Sequence, residues 1–141
     1  FEAAAFLRRA GADTAEVKRL FQNDLEGTIA KYDIIQNAKM YHEGIAVAKV
    51  DHTVGRITAA QAADELLNIS GVDTSFVLFP DQEGRVILSA RSMGDVNVQV
   101  VLEKLGGGGN AATAGAQVPN KSVDEVHQLL LQAIDQYLED E

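Results

Sequence analysis

Between Ser89 and Thr113 the chain gathers residue types suited to holding a phosphate ester. Ser89-Ala90-Arg91-Ser92 supplies a cation flanked by hydroxyls, Val96-Asn97-Val98-Gln99 opens a helical pattern, and Gly106-Gly107-Gly108-Gly109 runs into Asn110-Ala111-Ala112-Thr113. The Arg91 guanidinium is planar, charged at any relevant pH and able to grip two phosphate oxygens. Taken alone, an arginine near a strand end is more often solvated or paired with an acid such as Asp95 than part of a site. A helix beginning near Asp95 adds backbone N–H groups and a positive dipole end. Four glycines remove every side chain from successive positions, so a ligand can approach main-chain amides and positive φ is allowed. The plainer alternative, a helix C-cap running into a flexible loop, accounts for one or two glycines and less readily for four. Arg91, Asn97 and the glycines, in one β-α-loop unit, mark the candidate site.

Other chemistries find little support. His42, His52 and His127 are dispersed, with no pair beside carboxylates at a helical metal-ligand spacing, and read as structural or surface residues. Asp51 and His52 are adjacent, and neighbours on a strand point to opposite faces, so they are not expected to pair. There is no Ser, His and Asp set for a nucleophile triad and no glycine loop ending in Lys. A formal net charge of −9 argues against long nucleic acid as a partner, since such binding needs many Lys and Arg contacts. The chain has no cysteine, hence no disulfide or thiolate metal site. No apolar stretch approaches the ~20 residues of a spanning helix, and neither a signal-peptide pattern nor a polybasic run is present.

The elements that must position the site follow from periodicity. Phe1 to Ala10 already reads as a helix interior, so the chain looks like a piece of a longer protein. Asp13-Thr14-Ala15-Glu16 caps a second helix with Val17, Leu20, Phe21 and Leu25 on one face. After Gly27 a third helical pattern carries Ile29, Tyr32, Ile34, Ile35, Ala38 and Tyr41. Residues 1–42 thus form a helical segment that packs partly on something outside the chain. Ile45 to Val50 reads as a strand covered on both faces. Thr58-Ala59-Ala60-Gln61 is a capping box for a helix with Ala62, Ala63, Leu66, Leu67 and Ile69 inward. Ser75–Phe79 and Arg85–Ser92 read as strands joined across Pro80 to Gly84. A helix from Gly94-Asp95 buries Val98, Val101, Leu102 and Leu105. Thr113–Val118 makes a further strand, and Ser122-Val123-Asp124-Glu125 caps a last helix with Val126, Leu129, Leu130, Ala133, Ile134 and Leu138 inward. The sum is an α/β layer structure, a mixed β-sheet flanked by helices in the order β-α-β-β-α-β-α.

These residues carry a family resemblance. Ser89 to Ser92, Val96 to Gln99, the glycines and Asn110 to Thr113 resemble the DHH-associated domain of the DHH phosphoesterase family. The opening Phe-Glu-Ala-Ala, Leu-Arg-Arg and Gly-Ala-Asp, with the later Ala-Gln-Ala-Ala-Asp-Glu-Leu-Leu and Ser-Gly-Val, are similar to the C-terminal end of membrane-anchored cyclic di-AMP phosphodiesterases of the GdpP type. The resemblance implies a substrate-binding domain over residues 43–141 and a helical link, 1–42, to a DHH catalytic domain. That domain supplies the Asp and His ligands of two manganese ions, and it is anchored at the cytoplasmic face of a membrane through a region further N-terminal. The reaction implied is cleavage of cyclic di-AMP to the linear dinucleotide pApA, in bacterial signalling, with the present chain inactive by itself. Carried across, Arg91 with Ser89 or Ser92 contacts substrate phosphate, Asn97 orients a polar neighbour, and Gly106, Gly107, Gly108 and Gly109 with Asn110 lie against the nucleotide. An exonuclease acting on short linear oligonucleotides, or a non-catalytic nucleotide-binding module, uses the same residues, and a homodimer is left open. One departure stands out. The family pattern has a substrate-binding His directly after the glycines, whereas here Gly109 is followed at once by Asn110. Either the chain binds without that His, or a short stretch belongs between the two, as expected of a tetraglycine hinge that disorders without its ligand.

Overall fold

The structure, a computed structural model, describes residues 14–140. The expected helix over Phe1 to Ala10 and the Asp13 cap lie outside the described residues. The first element is α1 (Thr14–Gln36), which runs through Gly27 without a break. The expectation of two helices divided there is corrected: an interior glycine costs about 1 kcal/mol against alanine but keeps its N–H in the ladder. Further along α1, Ile34 is fully buried. Nor does the helical pattern reach Tyr41. The Asn37 N–H returns to the Ile34 carbonyl at 3.0 Å, and the chain then turns into an extended strand, β1 (Ala38–Met40), paired antiparallel with β2 (Ile45–Lys49). Positive φ at His42 and Gly44 reverses the chain between them.

After β2 come α2 (Arg56–Leu66), β3 (Thr74–Pro80) and β4 (Arg85–Ser92). Helix α2 starts two residues before the expected capping box. Its N-cap is Gly55, which makes no side-chain cap, and its carbonyl takes the Ala59 N–H at 2.9 Å, so Thr58 lies inside the first turn. The β3–β4 turn is held by Asp81, whose carboxylate accepts from the N–H groups of Glu83 and Arg85 and from Arg85 Nε. Burial acts to raise the Asp81 pKa, but the combined hydrogen bonds and the guanidinium outweigh it and hold the carboxyl below its ordinary value. Then follow α3 (Val98–Glu103), a two-residue strand β5 (Gly108–Gly109), β6 (Thr113–Pro119) and α4 (Val123–Asp140). The expected capping box of α4 forms in both directions: Glu125 N–H donates to Ser122 Oγ at 3.1 Å and Ser122 N–H to Glu125 Oε1 at 3.2 Å.

The six strands form one mixed sheet in the order β1-β2-β3-β4-β6-β5, in which β2 and β3 are the parallel pair. The α/β class with helices on a mixed sheet is as the periodicity implies. On one face α3 and α4 bury Phe76, Leu78, Leu88, Val101, Leu130 and Ile134. On the other, α1 and α2 bury Ile34, Val50, Leu66, Val77, Phe79 and Ile87. Ile69 and Leu138, expected inward, are 46% and 37% exposed. Along α1, Leu25, Ile29 and Tyr32 also stand open to solvent.

The two faces are not equally covered. Strands β2 and β3 are buried almost throughout, whereas the end of β4 and all of β6 alternate between buried and accessible positions. The inward residues of β6, Ala114, Ala116 and Val118, meet the α3/α4 layer. Thr113, Gly115 and Gln117 face the side where α1 and α2 stop short. The sheet is thereby left with an open shelf beyond Ile87.

Ile34 ties α1 to this fold. Ile34→Ala is expected to lower the unfolding free energy by about 2–5 kcal/mol in urea denaturation; a loss below about 0.5 kcal/mol would show that α1 is not part of the core.

Candidate functional site

The glycine run is an ordered connection with a separate reason at most positions. Gly107 N–H bonds to the Leu102 carbonyl at 2.8 Å and Gly106 N–H to Glu103 at 3.1 Å, with φ +83° at Gly106. This is a Schellman ending of α3, which requires the left-handed conformation that glycine adopts freely. A Cβ on Gly107 would press into the Gly115 carbonyl and lie 2.7 Å from Ala116 Cβ. One on Gly109, at φ +146°, would lie 2.6 Å from Ala114 Cα. Gly108 is different: a Cβ there meets nothing within 4 Å. The free hinge expected from four glycines is therefore corrected, because helix ending and strand packing engage three of them. Gly109 passes directly into a closed turn: Asn110 N–H donates to the Thr113 carbonyl at 2.7 Å, and Asn110 Oδ1 accepts from the N–H groups of Ala112 and Thr113.

Gly108 and Gly115 are register partners, and Gly115 in turn pairs with Ser89. One row across β5, β6 and β4 thus carries no side chain larger than a hydroxymethyl group. Because side chains alternate along a strand, Ile87, Ser89 and Arg91 share one face: Ile87 is buried beneath α1 and α2, while Ser89 and Arg91 are partly accessible beyond it. The resulting groove, about 550 Å³, is lined by Ser89, Gly106, Gly107, Gly108, Gly115, Gln117 and Arg56. Among the described residues the Ser89 hydroxyl and the Arg56 guanidinium make no hydrogen bond or ion pair. Gln117 Oε1 is already engaged by Arg85 Nη1 at 3.1 Å.

Arg91 adjoins the groove one step beyond Ser89 on the same face. Its Nε donates to Asp64 Oδ1 of α2 at 3.1 Å and its Nη1 to the Ala90 carbonyl at 2.8 Å. The acid that pairs with it is Asp64, not the Asp95 that sequence proximity suggests. The Arg91 side chain is only 17% exposed while that of Asp64 is 62% exposed, so the arginine is held rigidly and its acid is the more easily displaced member.

Two of the sequence-derived residues lie elsewhere. Ser92 points to the opposite side of β4, buried, with its Oγ 3.4 Å from Thr74 Oγ and accepting from the Gly94 N–H at 3.3 Å. Asn97 is the N-cap of α3: its Oδ1 accepts from the Val100 N–H at 3.3 Å, and its own N–H donates to Tyr137 Oη at 3.0 Å. The reading of this helix start as open to an anion is corrected, since the Val98 N–H is spent on the Ala111 carbonyl at 3.1 Å and the Val100 N–H on Asn97. Ser89, Arg91, Gly106, Gly107 and Gly108 are brought together, with Gly109 and Asn110 shaping the adjoining turn. Sequence reasoning missed Arg56, Gly115 and Gln117. The alternation of β6, small or polar outward at Thr113, Gly115 and Gln117, is the signal that an open face was there; nothing local points to Arg56.

The histidines stand apart from this groove. His42 Nε2 is 2.7 Å from Asp135 Oδ1, and Tyr41 Oη donates to the same carboxylate at 2.7 and 2.9 Å. Hydrogen bonds from His42 and Tyr41 hold the Asp135 carboxyl below its ordinary pKa. His52 and Asp51 do meet, at 3.2 Å, because they sit in a bend after β2 rather than on a strand. Among the described residues no three His, Asp or Glu side chains gather to hold a metal ion. No described helix is long and apolar enough to cross a membrane.

A helix-flanked mixed sheet with a glycine turn laid against an open strand face defines a recognisable class. The family model "DHHA1 domain" matches residues 42–140, and the chain belongs to that family. Two relatives extend the likeness across almost the whole chain. It is 43% identical over 141 residues to the cyclic-di-AMP phosphodiesterase GdpP of Geobacillus thermodenitrificans, covering 99% of this chain and 21% of the relative. It is 39% identical over 139 residues to the cyclic-di-AMP phosphodiesterase PdeA of Listeria monocytogenes, covering 97% and 21%. The chain therefore spans about a fifth of the length of these relatives. Among solved structures, an exopolyphosphatase-related protein from Bacteroides fragilis superposes with a TM-score of 0.71 at 20% identity, over 95% of this chain and 42% of that one. The C-Ala domain of Aquifex aeolicus alanyl-tRNA synthetase gives 0.54 at 18% identity, over 67% and 96%. These two likenesses concern the fold.

The glycine geometry makes a graded prediction. Gly107→Ala and Gly109→Ala should each destabilise the chain by about 1–3 kcal/mol or more through backbone clash, and Gly106→Ala by about 1–2 kcal/mol through the left-handed φ. Gly108→Ala should stay within about 0.5 kcal/mol. Chemical denaturation of the four variants checks the order, and equal losses at 107 and 108 would refute the packing argument.

Proposed function

We propose that this chain is the substrate-binding C-terminal part of a cyclic di-AMP phosphodiesterase, which hydrolyses the cyclic dinucleotide to linear pApA. The observation that supports it most is the shelf itself. An arginine, an uncommitted serine hydroxyl and a glycine edge strand lie on one uncovered sheet face, in a chain 43% identical to a protein of that named activity. Arg91 is already oriented by Asp64 and the Ala90 carbonyl. A phosphate arriving there replaces an exposed carboxylate with a bidentate anion and requires little reordering of the arginine. Ser89 Oγ donates to a second phosphate oxygen. Gly108 lets the sugar or base lie against main chain, since no Cβ stands between. Asn110 keeps its side-chain NH₂ for the ligand while Oδ1 holds the turn.

The hydrolytic metals, two manganese ions in this reading, belong to a DHH domain, as the family resemblance implies. This chain's work is to bind and orient. The acidic surface, net −9, keeps long polyanions away while the groove captures a small one locally. In this reading the full protein sits at the cytoplasmic face of a membrane through a region further N-terminal.

Two outcomes are expected. The chain alone, given Mn²⁺ and cyclic di-AMP, shows no turnover, whereas the protein extended through the DHH domain does; turnover by the chain alone would refute the division of labour. In the extended protein, Arg91→Ala should lower kcat/KM by about 10–100-fold, the loss of a charge-assisted hydrogen-bond pair, and Gly108→Val should weaken substrate binding with unchanged melting temperature. Unimpaired hydrolysis in Arg91→Ala would instead indicate a sensing module. Faster cleavage of short linear oligonucleotides than of cyclic di-AMP in a competition assay would indicate an exonuclease.

A further inference from the structure

The groove has two ends, and they are charged differently. Along β4 the residues on the groove side run from buried Ile87 through Ser89 to Arg91, with register partners Gln117, Gly115 and Thr113 on β6. At the Arg91 end the cation is paired with Asp64. At the other end stands Arg56, the first residue of α2, exposed and lining the groove beside Ile87 and Gln117.

Of the three arginines with described side chains, Arg85 pairs with Asp81 and Glu83 and Arg91 with Asp64. Arg56 has no acid within ion-pairing distance among the described residues. That is unusual company in a chain with 21 acidic against 12 basic residues. A guanidinium left unpaired at the rim of a polar groove, in a field that is otherwise negative, is a ready counter-ion for a ligand anion.

The spacing restricts that ligand. Ile87 and Arg91 are four residues apart, roughly 13 Å along an extended strand at about 3.3 Å per residue. Two guanidiniums reaching in from opposite ends of the groove can each take a different phosphate of one ligand. Between them lies the row of Ser89, Gly115 and Gly108, which leaves room for a sugar. A ligand with two phosphate groups separated by a sugar would present one anion to each end.

We propose that Arg56 binds the second phosphate of a two-phosphate nucleotide whose first phosphate lies at Arg91, and that it thereby selects dinucleotides over mononucleotides. This rests on the reading that the groove holds the dinucleotide substrate, and the test separates the two claims. The protein used is the full-length metal-loaded enzyme, with Arg56→Ala, Arg56→Lys, Arg91→Ala and Gly108→Val compared. Arg56 is exposed and makes no hydrogen bond or ion pair among the described residues, and an unchanged melting temperature in Arg56→Ala confirms that its removal tests binding rather than folding.

In Arg56→Ala, KM for cyclic di-AMP should rise about tenfold or more, with kcat within about twofold and inhibition by adenosine 5′-monophosphate unchanged. Arg56→Lys should recover part of the loss, because lysine restores the charge but not the planar fork. A KM within about twofold of the parent in Arg56→Ala, while Arg91→Ala remains impaired, overturns the role of Arg56 and leaves the groove reading standing. Equal weakening of mononucleotide and dinucleotide also overturns it, since that is a long-range field and not a second contact. If Arg91→Ala and Gly108→Val both leave substrate and inhibitor binding untouched, the groove reading fails and Arg56 fails with it.

Discussion

The tight contact between the loop after α3 and the back of β6 is the constraint on which the rest of the site depends. Gly107 lies so close to the Gly115 carbonyl and Ala116 that no side chain fits, and Gly109 is packed as tightly against Ala114. Those contacts lay the glycine segment flat along the sheet edge as β5. They put the edge strand, β6 and β4 in one plane, so the residues on their open side form a continuous shelf. A bulkier segment would stand off the sheet and fill the shelf from above. The backbone amides of a loop become a binding surface only when something holds the loop still, and here close packing does so.

The other half of the design is incomplete coverage. Four helices flank six strands, but α1 and α2 cover only the half of their face built from β2, β3 and the start of β4. The apolar run of β3 and the alternation of β6 are two readings of that same asymmetry. Stability on this face comes from the covered half, where Leu66, Val77 and Phe79 are almost wholly buried. The uncovered half places polar and small residues, which cost little when left in water. Asp64 on α2 bridges the two halves by reaching over to Arg91, so the helix that ends the core also presents the arginine.

Much of the fold was legible because it rests on local periodicity. The two central strands, the β3–β4 hairpin and the Ser122 capping box depend on residues close together in sequence, and all appear where spacing places them. The misreadings share a cause. Ala38 and Tyr41 continue a helical pattern, yet the chain turns at Asn37 because an unpaired edge of β2 offers hydrogen bonds to an extended segment. Thr58 looks like a cap, but the burial of Ala59, Ala62 and Ala63 against the sheet sets where α2 begins. Gly27 looks like a break, but a buried Ile34 seven residues on anchors the helix across it. In each case a distant partner outweighed a local preference worth about a kilocalorie per mole.

The candidate site divides the same way. Sequence alone determined that Ser89, Arg91 and a run of glycines occur within one β-α-loop unit, and that no triad or phosphate-loop lysine accompanies them, because residue types and short spacings are local facts. Only the tertiary structure decided that Ser92 faces the buried layer while Ser89 faces solvent, that Asn97 is spent on capping α3, and that Gly108 is the glycine packing does not require. It also brought Arg56 across some thirty residues of sequence to the rim of the groove and gave Arg91 its acid from α2. Those outcomes depend on strand register and on where a helix stops covering a sheet, and both are settled by contacts between segments far apart in the chain.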